Sequence, residues 1–174
     1  DGTVTEKIAD YFTRVMTPLA DVVLDLHSGG RTLDIIPFGA SHVLDDPEQQ
    51  RQALEGAKAF GAPYAMMMFE LDAAALFDTA VESQGKVFVA TELGGGGTST
   101  PESLAITERG VRNFLIHFGL IEGEVAMPDE PQVYLDMPDA SCYVQSEHSG
   151  LLELTLALGD RVEKGQVIAR IYDM

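Results

Sequence analysis

Apolar and polar positions follow two different rhythms along this chain, and the change between them divides it. Up to about residue 121, strand-type apolar runs alternate with segments of helical period. Ile8, Tyr11, Phe12, Val15, Met16 and Leu19 recur at helical spacing behind Thr3-Val4-Thr5-Glu6, a capping box. Pro18 is placed to end that helix early. Residues 22–27 form a short apolar run with one aspartate inside it and read as a buried strand; 32–38 read as another. Asp46-Pro47, an N-cap followed by proline at the first helical position, opens a helix to about residue 60. Residues 64–69 read as a methionine-dense strand, 72–83 as an alanine-rich helix, and 87–93 as a strand. Thr100-Pro101-Glu102 opens a helix to about residue 118. This alternation predicts an α/β domain with a mainly parallel sheet flanked by helices on both faces.

The rhythm changes near Ile121. Residues 122–131 are acidic, contain Pro128 and Pro131, and read as a linker. From residue 132 short strands are expected at 133–137, 142–145, 151–158 and 166–172, with turns at Ser149-Gly150 and Gly159-Asp160. The predicted organisation is therefore part of an α/β domain over 1–121, a linker over 122–131, and part of a β-rich domain over 132–174. These last strands are too few to close a barrel, and the chain begins directly at a helix cap. Both ends are therefore expected to be cut.

Hydrophobic residues make up 45% of the 174, enough for a real core. No apolar stretch is long and uncharged enough for a membrane-spanning helix. The first residues have neither the basic nor the apolar region of a signal peptide. Cys142 is the single cysteine, so an internal disulfide is excluded; a reducing, cytoplasmic setting is expected. The net charge of −17, from 28 acidic against 11 basic residues, repels nucleic acid and anionic membrane. Its plain meaning is a heavily solvated surface, of the kind a salt-adapted organism uses.

Two segments carry candidate chemistry. Asp25-Leu26-His27-Ser28-Gly29-Gly30 and Thr91-Glu92-Leu93-Gly94-Gly95-Gly96-Gly97 each end a predicted strand and enter a glycine-rich loop. Ligands in open α/β sheets bind at the carboxyl ends of strands. A histidine and a glutamate delivered there suit a zinc ligand and a general base. The alternatives are a histidine bonded to backbone at a strand end and a solvated glutamate beside a flexible loop. Gly94 and Gly95 leave room for substrate and offer amides to an anion or oxyanion. Arg31 is suited to hold a substrate carboxylate, or is a surface arginine. His42 precedes an acidic turn and has a weaker case for lying near the site. His117 is expected to pack on its helix, His148 to be solvated, and Met66, Met67 and Met68 to be core. No phosphate loop, dinucleotide fingerprint or GxSxG elbow is present. Catalytic zinc usually has three protein ligands, and no HxxE, HxxH or HExxH occurs. If zinc binds, the missing ligands lie upstream of Asp1.

At these residues the chain resembles the succinylglutamate desuccinylase/aspartoacylase family, zinc enzymes on a carboxypeptidase-like α/β fold. The resemblance covers about residues 1–121, and the C-terminal strands fit the family's β-rich appendage. It implies that an upstream HxxE supplies two Zn²⁺ ligands, His27 the third, and Glu92 the base. It also implies a deacylase acting on a small N-acyl amino acid, with acetyl as the expected acyl group. Aspartoacylases place an arginine about ten residues before the base, where this chain has Glu82, Ser83 and Gln84. A doubly anionic substrate is therefore not expected; one carboxylate and a neutral or cationic side chain are. Residues 156–171 also resemble half of a biotinyl or lipoyl carrier barrel, but Lys164 lies in the turn that does not carry the modification. The competing reading is a non-catalytic binding or carrier-like module on the same fold. Homo-oligomerisation is left open by the sequence.

Overall fold

The capping box forms as the sequence dictates. In the computed structural model the Thr3 hydroxyl accepts from the Glu6 amide at 3.2 Å, and the Glu6 carboxylate accepts from the Thr3 amide at 2.6 Å. These bonds start α1 (Val4–Tyr11). The helix then loosens into a π turn (Phe12–Met16) and a 3-10 turn (Thr17–Leu19). Pro18 has no N–H to continue the α pattern. The structure describes residues 2–69 and 76–173. It separates into two units, residues 1–139 and 140–174.

The larger unit is built on β1 (Val22–His27), β2 (Phe38–His42), β3 (Tyr64–Met68), β4 (Val87–Glu92) and β5 (Val133–Asp136), in the order β1-β4-β2-β3-β5. Pairs β1–β4, β2–β3 and β3–β5 are parallel; β2–β4 is antiparallel. The sheet is thus mainly parallel, as read, with one reversal at its centre. On one face lie α2 (Pro47–Phe60) and α4 (Pro101–His117), both opened by the caps seen in the sequence. Ala57, Phe60, Ala62, Val89, Ile106 and Phe114 form the dry core beneath them. The opposite face carries α3 (Phe77–Glu82), whose Phe77 meets Phe88 of β4 edge-on at 5.7 Å.

Three expectations need correction. Residues 32–37 are not a strand, because their backbone groups bond to the glycine loops instead: Leu33 donates to the Gly29 carbonyl and accepts from Gly96. Residues 142–145 form no strand either; Ala140–Cys142 is a 3-10 turn closed by the Tyr143 amide on the Ala140 carbonyl. Residues 133–136 belong to the large sheet and not to a separate C-terminal domain. The main-chain groups along the edge of β3 need partners, and β5 supplies them, so the division falls after Asp139 rather than before Gln132. Residues 72–75 of the expected alanine-rich helix lie outside the described residues. In the smaller unit β6 (Leu151–Leu154) pairs antiparallel with β7 (Ala169–Tyr172), and Tyr172 donates to Glu153 at 2.7 Å.

The close approach of α2 and α4 depends on Gly110. A Cβ there would lie 2.3 Å from ring atoms of Phe60. Gly110→Ala is expected to destabilise the fold by about 1–3 kcal/mol through overpacking, read as a lower urea midpoint with an unchanged slope.

Candidate active site

Side chains alternate across a strand, so Asp25 and His27 of β1 share one sheet face, as do Phe88, Ala90 and Glu92 of β4. The parallel register sets His27 directly beside Glu92 and Asp25 beside Ala90. Antiparallel β2 sets Phe38 on the other flank of Glu92. Thr91, turned to the opposite face and buried, fixes this register. Its hydroxyl donates to the Asp25 carbonyl at 2.8 Å and accepts from the His27 amide at 3.4 Å.

The result is a cavity of about 380 Å³ bordered at one end by Asp25, His27, Phe38 and Glu92. His27 Nδ1 lies 3.3 Å from Asp25 Oδ2. An acceptor there favours the proton on Nδ1 and leaves the Nε2 lone pair for another partner. Glu92 is half-buried, and its Oε2 is buried without a hydrogen bond among the described residues. Burial pushes its pKa up; the neighbouring His27 opposes this, and the negative charge of Asp25 adds to it. A carboxyl held in this way is a proton acceptor of raised basicity at the edge of a cavity.

The glycines serve the approach of two loops. A Cβ on Gly95 would lie 2.0 Å from the Leu33 carbonyl oxygen, and one on Gly29 2.5 Å from the same atom. That oxygen accepts from the Gly96 amide, while the Gly97 amide donates to the Gly30 carbonyl and Gly29 to Gly94. The amides of Gly96 and Gly97 are thus consumed in joining the loops. Gly94 and Gly95 follow Glu92 after Leu93 and belong to this clamp; neither lines the cavity. Arg31 stands exposed on the same clamp, beside Gly97 and without an ion pair among the described residues.

Sequence reasoning understated His42 and missed Asp78 and Glu82. All three border the same face of the sheet: His42 is buried, its Nδ1 2.8 Å from Glu82 Oε1 and its Nε2 4.0 Å from Asp78 Oδ2. The available signal was the i, i+4 spacing of the two acids on a short helix. His117 packs edge-on against Phe118, as expected, and His148 lies in the other unit.

The fit to a metal is partial. His27, half exposed and steadied by Asp25, is suited as one ligand. Among the described residues no three His, Cys, Asp or Glu groups converge on a point that would hold an ion. Nor is any helix among them long and apolar enough to cross a membrane.

A profile of the succinylglutamate desuccinylase/aspartoacylase catalytic domain matches residues 1–118. An N-alpha-acetyl-L-2,4-diaminobutyric acid deacetylase from Halomonas elongata is 84% identical over the whole of this chain, which covers 51% of that protein. Among solved structures, the product-bound ectoine utilization protein EutE (DoeB) from Ruegeria pomeroyi superposes with a TM-score of 0.95 at 50% identity, over 100% of this chain and 52% of that one. A succinylglutamate desuccinylase from a Silicibacter species gives 0.91 at 52% identity, over 99% and 52%. The chain spans about half the length of these relatives.

The raised pKa of Glu92 has a consequence for stability. The folded state holds this proton to higher pH than the unfolded state does. Stability therefore falls as pH rises from the ordinary value of 4.5 through the folded one, and the cost persists at neutral pH. In metal-free protein Glu92→Gln should raise the thermal midpoint near pH 7, with the gain vanishing below about pH 4, as followed by circular dichroism.

Proposed function

The chain belongs to the succinylglutamate desuccinylase/aspartoacylase family, and from that premise we propose that it carries half of a zinc-dependent deacylase site. The substrate is a small N-acyl amino acid, with N-alpha-acetyl-2,4-diaminobutyrate the favoured case. One observation carries the reading. The paired ends of β1 and β4 set a metal-competent imidazole and a half-buried carboxylate of raised pKa side by side on one cavity.

His27 would hold zinc through the nitrogen not facing Asp25, with the remaining ligands drawn from residues preceding Asp1. Bound zinc supplies Lewis-acid polarisation of the acyl carbonyl and makes water more acidic. Glu92 removes the proton from the attacking water and delivers it to the leaving amine nitrogen. Phe38, paired with Glu92 on its other flank, adds an apolar wall to the same cavity. Arg31, exposed on the loop clamp beside Gly97, would supply the guanidinium that meets the carboxylate of the amino acid. The neutral end of the substrate is its acyl group; the other end of an N-alpha-acetylated diamino acid carries a free ammonium.

At the full length of its relatives, the protein is expected to contain zinc and the His27→Ala variant to lose most of it, as measured by elemental analysis. Equal zinc in both would remove His27 from the ligand set. Glu92→Gln should retain zinc while kcat for the acetylated diamino acid drops about 10²–10⁴-fold, the usual worth of a positioned base. Turnover near the wild-type rate would assign the proton transfer elsewhere.

A further inference from the structure

We infer that the end of the cavity remote from Glu92 recognises a cationic group of the substrate, with Asp78 as the specificity-determining carboxylate. This rests on the reading of the site as an N-acyl amino acid hydrolase. The cavity runs along β2 from Phe38, opposite Glu92, to His42 four residues further on. At about 3.3 Å per residue that is about 13 Å between the two rows, before side chains reach inward. The walls between are apolar: Phe38, Met68, Phe77, Phe88 and Ala90.

The remote end is charged. His42 and Glu82, each with only 6% of its side chain exposed, meet at 2.8 Å. The His42 ring stacks on Phe88 at 6.4 Å, which fixes its plane. Asp78 retains 18% exposure, and its Oδ2 lies 4.0 Å from His42 Nε2, beyond hydrogen-bond reach. Its other oxygen accepts from the amide and hydroxyl of Thr79. Two carboxylates and one imidazole meet at this end. Glu82 is occupied by His42, whereas Asp78 Oδ2 has no hydrogen-bond donor among the described residues. In an apolar-walled cavity an uncompensated carboxylate is costly, and a ligand ammonium offsets that cost where a second carboxylate would compound it. The same cavity therefore takes the uncharged amide at the Glu92 end and a positive charge at the Asp78 end.

The test compares N-alpha-acetyl-2,4-diaminobutyrate with N-acetyl-2-aminobutyrate, the same carbon skeleton without the second amino group. It uses the protein at the full length of its relatives. Wild type should favour the cationic substrate in kcat/KM by about tenfold or more, mainly through KM. Asp78→Asn keeps the acceptor to Thr79 and should cut that ratio about tenfold. Asp78→Glu should retain most of the ratio, which a merely structural role for Asp78 would not do. A wild-type ratio near unity with both substrates cleaved overturns the inference and spares the hydrolase reading, as does an Asp78→Asn variant that keeps the ratio. Cleavage of neither amide by zinc-loaded wild type overturns both. Should Asp78→Asn fail to fold, the wild-type and Asp78→Glu ratios still decide, since a ratio near unity in either is adverse.

Discussion

A slip of one residue between β1 and β4 would turn Glu92 toward the face that packs under α2 and α4, and the cavity would lose the Glu92 carboxylate. The pairing of these two strands is therefore the constraint on which the rest depends. Hydrophobic pattern alone does not hold it. Thr91 bridges the Asp25 carbonyl and the His27 amide through one buried hydroxyl. Beyond the strand ends, the Leu33 carbonyl sits where side chains on Gly29 or Gly95 would collide with it. Both devices act on the same two strand ends, one inside the sheet and one past it.

The two faces of the sheet have been given different work. Under α2 and α4 the contacts are aliphatic and aromatic, close enough for Gly110 to rest on Phe60 without a Cβ between. Under α3 the packing is looser and polar groups enter: Asp25, His27 and Glu92 at one end, His42, Asp78 and Glu82 at the other. The first face provides the packed core; the second carries ionisable groups whose burial costs stability. Glu92, with a buried oxygen lacking a hydrogen-bond partner among the described residues, is the clearest case of that cost.

The antiparallel placement of β2 between β4 and β3 gives the cavity its length. Because β2 runs against β4, its first residue flanks Glu92 and its last carries His42 to the opposite end. A parallel neighbour would have brought the C-terminal residues of both strands to the same end. One reversal thus separates the Glu92 end from the Asp78 end within a single apolar-walled groove.

Local rules were legible without a structure. The capping box at Thr3, the Asp46-Pro47 and Thr100-Pro101 helix starts, and the apolar runs of β1 and β4 each depend on residues a few positions apart. So did the shared parity of Asp25 and His27, which delivers both to one face. Tertiary structure alone decided which strand lies beside which, because backbone groups of an extended segment accept any partner that packs well. That choice moved residues 32–37 out of the sheet and onto the glycine loops. It drew residues 133–136 into the large sheet, and it brought His42 against two acids of α3 that lie 36 and 40 positions away in the chain. The His27 and Glu92 pair was written in strand endings; the groove joining it to a second charged end exists only once the chain has folded.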